Sequence, residues 1–206
     1  MVRILSFAME AVSAIITLFP AAILLYFTIF RNSGKKKLIL LSLFALYLSA
    51  VFSVVGLPSV LYFTFQADLN YIPFVDILNM TSVLNIILFI PLGFLLPTIW
   101  SDFRSLKKTV LVGFSLSLTI ELLQLFTFRL TDVDDLITNT LGTALGYFLS
   151  VLLSEKLRLK LPVSPAKREV LLLFVSVFFV MATIQPLLLD GLWSILMSSP
   201  LWERIH

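Results

Sequence analysis

Glu121 and Gln124 stand three residues apart in an otherwise apolar run, and Arg129, Asp132, Asp134, Asp135 and Asn139 follow closely. Residues three apart share a face of a helix, so the first two are expected to point the same way. Asp135, Asn139, Gly142 and Gly146, spaced by four, three and four, form a second stripe that is polar at its start and bare at its end. Upstream, Asn85 precedes Phe89-Ile90-Pro91-Leu92-Gly93. Carboxylates, amides and one arginine suit two kinds of chemistry. One is general acid–base work on a lipid-linked phosphate, with Glu121, Arg129 and Asp135 as catalytic candidates and the arginine fork holding the phosphate. The other is capture of a charged ligand, with Asn85, Gln124, Asp132, Asp134 and Asn139 as binding candidates.

Each residue also has a structural reading. Glu121 could be a hydrogen-bonded packing residue, Asp134 and Asp135 could cap a helix N-terminus, and Arg129 could neutralise those aspartates. The two asparagines could join helices, and Gly142 and Gly146 are expected to let a neighbouring helix approach backbone to backbone. Other chemistries are excluded more firmly. Cysteine is absent and the one histidine is His206, so thiolate catalysis, phosphohistidine intermediates and histidine-ligated zinc have no residues to work with. Neither a P-loop nor a dinucleotide fingerprint occurs, and no cofactor or metal-ligand set is expected.

The elements that must carry these residues are membrane helices. Apolar residues make up 59% of the 206, charged ones 13%, and the mean hydropathy is +1.04, far from a soluble domain. A helix crosses the bilayer core in about 20 apolar residues. By that measure six spans are expected: Phe7–Phe30, Leu38–Leu57, Met80–Trp100, Thr109–Phe128, Leu136–Ser154 and Val170–Leu189. The fold class is therefore all-α, a polytopic bundle forming a single integral membrane domain over 1–206. The first span carries Glu10 and Pro20 and is expected to be retained rather than cleaved as a signal peptide. Pro58–Asn79 is expected to lie along the interface or fold back over the bundle, and the tail from Gly191, with Trp193 and Trp202, to lie at the interface. Pro91, inside the third span, removes a backbone donor and is expected to kink it.

All but three of the 15 basic residues fall in alternate loops: Arg31–Lys37, Arg104–Lys108 and Lys156–Arg168. The exceptions, Arg3, Arg129 and Arg204, share the other side with most of the acidic residues. Lysine and arginine accumulate in cytoplasmic loops, so both termini and the polar cluster are expected outside. This asymmetry accounts for the net charge of +3 and excludes a nucleic-acid reading. Asn85, Glu121, Gln124, Arg129, Asp132, Asp134, Asp135 and Asn139 then occupy the outer third of three consecutive spans, where one polar pocket open to the outside is expected. Ionisable groups at membrane depth are costly and by default mark a site.

The ordered set Asn85-x3-Phe89-x-Pro91-x-Gly93, Glu121-x2-Gln124 and Arg129-x2-Asp132-x-Asp134-Asp135-x3-Asn139-x2-Gly142-x3-Gly146-Tyr147 resembles the pattern of the VanZ-like family. Tyr71-Ile72-Pro73-Phe74 resembles the turn that precedes it, giving a core of about residues 70–152. The segment Arg-Leu-Thr-Asp departs from the family's more frequent small or aromatic residue before the aspartate, which leaves the role of Asp132 open. The resemblance implies a multi-pass protein of the bacterial cell membrane associated with resistance to the glycopeptide teicoplanin. It also implies that Glu121, Gln124, Arg129, Asp135 and Asn139 hold the family's motif positions. The expected function is recognition or modification of an envelope lipid or glycan precursor among the membrane lipids. A membrane enzyme acting on a lipid-linked phosphate and a small proton-coupled transporter are the alternatives. The sequence assigns no oligomeric state.

Overall fold

A computed structural model describes residues 12–13, 16, 34–56, 65, 69–70, 79–127, 131–157 and 167–198. The chain is helical almost throughout these segments. Helix α1 is Lys35–Val55, α2 Met80–Ile99, α3 Leu106–Gln124, α4 Val133–Leu157, α5 Lys167–Phe179 and α6 Gln185–Met197. A π-helical turn, Val180–Ile184, joins α5 to α6 without a break, so the chain is helical from Lys167 to Met197. Among the described residues, four stretches are long and apolar enough to cross a membrane: Lys35–Val55, Met80–Ile99, Val133–Ser154 and Arg168–Met197. A helix of 20 residues rises about 30 Å, the thickness of the hydrocarbon core. Apolar side chains cover the outside as well as the core. Ile39, Leu122, Leu145, Leu152 and Leu171 are each at least half exposed, as expected of helices whose solvent is lipid.

Glycines set how the central helices meet. A Cβ on Gly142 would overlap the carbonyl oxygen of Ile86, one on Gly146 that of Ile90, and one on Gly93 that of Thr143. Helices α2 and α4 therefore touch backbone to backbone. Because Ile86 faces Gly142 and Ile90 faces Gly146, both numbers rising together, the two run parallel. Lower down, Thr98 Oγ1 and Ser150 Oγ share a hydrogen bond of 3.2 Å. Parallel neighbours need a return crossing, and α3 supplies it: Gly113 meets Thr143 and Ser117 meets Asn139, an antiparallel register. Lys107 and Lys108 in its first turns and Glu121 in its last make α3 less apolar than the other four stretches.

The apolar core lies between α1, α2 and α5. Phe44 stacks edge-on against Trp100 (centroids 5.4 Å apart) and Phe174 (5.8 Å), with Leu48, Leu92, Leu96 and Leu173 filling the same layer. One ionic group closes this core at its end: Lys37 Nζ lies 2.7 Å from Glu169 Oε2, which also accepts from Trp100 Nε1 at 2.9 Å. The starts of α1 and α5 and the end of α2 thus meet, and this end also carries Arg104, Lys107, Lys108 and Arg168. It is the basic end of the bundle.

Several expectations are refined. The helix of the last span continues through Gly191 and Trp193 to Met197, beyond the expected Leu189, because its outer part stays apolar. Helix α2 passes Pro91 and Pro97 as one unbroken helix, and Tyr47 donates to the carbonyl of Leu88 at 2.9 Å, beside the carbonyl that Pro91 frees. Helix α4 begins at Val133 rather than Leu136. Of the first expected span only Val12, Ser13 and Ile16 are described; the first two and Ile16 are helical, and Ser13 is buried against Gln185, whose Nε2 donates to its Oγ at 3.0 Å. Most of Pro58–Asn79, the tail beyond Ser198 and both termini lie outside the described residues.

Candidate functional site

The register of α3 against α4 builds the site. The numbers of the paired residues Gly113 and Thr143, then Ser117 and Asn139, step in opposite directions by four, so the next pair is Glu121 and Asp135. Asn139 Nδ2 donates to Ser117 Oγ at 2.9 Å, and Thr143 Oγ1 bonds back to the carbonyl of Asn139 at 3.0 Å. The small Ser117 and Gly113 let α4 come close, and the amide of Asn139 is carried into the interior, 3% exposed. Glu121 is 5% exposed and Gln124 6%, so both face inward as their spacing requires.

Glu121 Oε2 accepts the backbone N–H of Asp132 at 3.0 Å. Asp132 precedes the first residue of α4, so the carboxylate sits at that helix's N-terminus, where unpaired N–H groups and the helix dipole favour negative charge. Asp132 and Asp135 are its acidic neighbours. Asp132 Oδ1 in turn accepts the N–H of Asp134 at 2.9 Å, which makes Asp132 the cap of α4. The capping role expected of Asp134 or Asp135 falls to Asp132 because the helix starts three residues earlier than expected. Asp134 is then in the first turn and almost wholly buried, and its carbonyl accepts from Thr138 Oγ1 at 2.8 Å. Thr131 and Asp132 also pair in parallel with Leu69 and Asn70, a two-residue bridge that lays part of the segment before α2 beside the entrance to α4.

Gln124 Nε2 donates to the carbonyl of Val55 at 3.1 Å, tying the end of α3 to the end of α1. Three polar atoms in this layer are buried without a hydrogen-bond partner among the described residues: Asn85 Nδ2, Gln124 Oε1 and Asn139 Oδ1. Unmet polar groups are rare inside proteins and costly in lipid. Asn85 stands one residue before Ile86, which faces Gly142, and so lies within a helical turn of the level of Asn139. Of the expected set, Glu121 is bonded to the backbone of Asp132 with Asp135 beside it, Asn139 lies about a turn away bonded to Ser117, and Gln124 is turned to α1. Glu121, Gln124 and Asn139 form an enclosed layer, bordered by the half-buried Asp132 and Asp135. Arg129 lies outside the described residues. No group of three or more acidic or histidine side chains among the described residues is placed to hold a metal ion. Ser117 belongs to the layer but is not evident from sequence, where a serine among apolar residues carries no mark; its place four residues before Glu121 is the one available signal.

Comparison with known proteins sets this geometry in a family. The profile of VanZ/LLP1 matches residues 18–154, which covers α1 to α4 up to Ser154 and every residue of the polar layer. The chain belongs to the VanZ/LLP1 family. It is 41% identical over 83 residues to protein VanZ of Enterococcus faecium, a match covering 39% of this chain and 51% of that protein. The chain thus matches about half the length of this curated relative. No solved structure matches it. The family match and the apolar helices make it a multi-pass protein of the cell membrane. The match begins at residue 18 and so includes α1, which the motif residues from about 70 onward do not reach.

Proposed function

We propose that this VanZ-like protein acts in the cell envelope and raises tolerance to glycopeptides such as teicoplanin by recognising or modifying a surface lipid or glycan precursor at its polar layer. The observation that supports the reading is the set of unmet hydrogen-bonding atoms on Asn85, Gln124 and Asn139 beside the buried carboxylate of Glu121. A sugar or phosphate headgroup offers donors and acceptors in the density that would satisfy them. The half-buried Asp132 and Asp135 border the approach to this layer, with Arg129 nearby in sequence as the cationic partner for a phosphate. The basic residues at the other end support an outward orientation for this one.

The test is susceptibility to teicoplanin and vancomycin of a sensitive Gram-positive host expressing the wild-type chain or Glu121→Gln at equal membrane levels. Tolerance from the wild type alone supports the reading. Equal tolerance from both makes Glu121 a structural residue, and none from either overturns the proposed role. Turnover of an isolated lipid-linked phosphate by the purified chain would favour the enzymatic form of the same site over simple binding.

A further inference from the structure

A second feature lies away from the polar layer, on the flank of the bundle. Between α3 and α5, over Phe52 of α1, lies a groove of about 550 Å³, walled on one side by Leu111, Leu116 and Leu123 and on the other by Leu171, Phe174 and Phe178. Its hydroxyl groups, from Ser115 and Thr119, do not interrupt the apolar wall: Thr119 Oγ1 is turned to the carbonyl of Ser115 at 2.7 Å. Leu111, Leu171 and Val175 are all more than half exposed, so the groove opens sideways into lipid.

The two helices begin at the same, basic end, where cations stand on the helix faces that line the groove. Lys107 and Lys108 stand four and three residues before Leu111, on the face of α3 that lines the groove; Arg168 stands three before Leu171 on the matching face of α5. All three are exposed. Glu169, beside Arg168, is turned inward to Lys37 and Trp100. Asp102, half-buried in the turn before α3, is the other acidic side chain described at this end. From Leu111 to Leu123 the wall rises about 18 Å, somewhat more than half of a hydrocarbon core of about 30 Å. That is the depth of one acyl chain entering from one leaflet.

We propose that the α3–α5 groove is a binding site for an anionic phospholipid, one acyl chain lying against Leu116 and Phe174 and the phosphate meeting Lys107, Lys108 and Arg168. Apolar length selects a lipid chain, and the basic mouth selects an anionic headgroup over a zwitterionic one. The site is distinct from the polar layer: its basic mouth lies at the opposite end of the bundle, and Glu121 faces α4 where the groove faces α5.

The full-length protein, purified in neutral detergent, is titrated with phosphatidylglycerol or with phosphatidylcholine of the same chains, and bound lipid is counted by native mass spectrometry. Phosphatidylglycerol is expected to be retained about tenfold better, three nearby cations each favouring it. The variant Lys107→Gln/Lys108→Gln/Arg168→Gln should lose that preference and keep the weaker binding. Ser115→Phe/Thr119→Phe, which fills the open groove from exposed positions, should lose both lipids while eluting as a folded monodisperse species. Equal retention of the two lipids by the wild type overturns the headgroup assignment. Unchanged binding in the folded groove-filling variant overturns the location. Failure of both lipids to bind the wild type overturns the proposal in favour of a groove covered by protein.

Discussion

Glu121 is a carboxylate buried inside a membrane bundle, and its environment divides structural need from functional use. Its Oε2 accepts the backbone N–H of Asp132, a donor that a glutamine carbonyl accepts equally well. Glu121→Gln is therefore expected to fold and to elute as the wild type does, with circular dichroism unchanged, while tolerance to teicoplanin is lost. A variant that unfolds instead would assign the charge itself to the assembly of α3 and α4. Asn139 allows a sharper separation. Its amide nitrogen serves Ser117, but its oxygen has no partner among the described residues, and a buried acceptor left unmet destabilises. Asn139→Leu, which keeps the branched shape without polar atoms, is expected to leave the thermal midpoint of the purified protein unchanged or raised while tolerance falls. A clear drop in midpoint would mean that the asparagine serves packing and hydrogen bonding between helices.

Among the elements, the pair α2 and α4 is held by backbone proximity that only glycine allows. The stripe Gly142 and Gly146 was legible as a four-residue spacing of small residues, but its partner was not; Gly93 completes the seam from the facing helix. Gly146→Ala, which drives a methyl group into the carbonyl of Ile90, is expected to cost about 1–3 kcal/mol, and Gly146→Leu to abolish the folded species, read as loss of the monodisperse peak. Gly191 offers the contrast: nothing lies within 4 Å of its added Cβ, and it is inside a helix. Gly191→Ala should raise the thermal midpoint slightly, by about 0.5–1 kcal/mol of stability. The ionic group of Lys37, Glu169 and Trp100 makes a related prediction. Lys37 is 8% exposed, so Lys37→Met leaves the Glu169 carboxylate without its ion partner, whereas Lys37→Met/Glu169→Leu removes both charges. The double variant is expected to melt above the single one, since removing one member of a buried pair costs more than replacing both.

At the scale of the whole molecule, charge and apolar surface orient the bundle. The starts of α1, α3 and α5 share one basic end, and the polar layer sits at the other. The absence of cysteine makes this directly measurable, because any introduced thiol is unique. Phe65→Cys, at a position 66% exposed on the side of the polar layer, should react with a membrane-impermeant maleimide in intact cells. Ser105→Cys, in the turn before α3, should react only after permeabilisation. The reverse pattern would place the polar layer in the cytoplasm and remove the basis for an envelope function.

Composition by itself determined the solvent of this protein. Helices apolar on every face have no stable place in water, and the spans from Leu38 to Leu57, Met80 to Trp100 and Leu136 to Ser154 were read to within a few residues because a bilayer thickness leaves little choice of length. Helical periodicity also placed Glu121 with Gln124 and Asp135 with Asn139 on common faces. What sequence left open was which face meets which. The parallel seam of α2 with α4, the antiparallel step that brings Ser117 to Asn139, and the capping of α4 by Asp132 all depend on contacts between residues far apart in the chain. Such contacts are fixed by the fit of particular small side chains against particular carbonyl groups, and no local pattern encodes the partner. The proposed lipid groove shows the same division: each wall is a run of leucine and phenylalanine, and only the packing of α3 and α5 over Phe52 sets the two surfaces opposite each other.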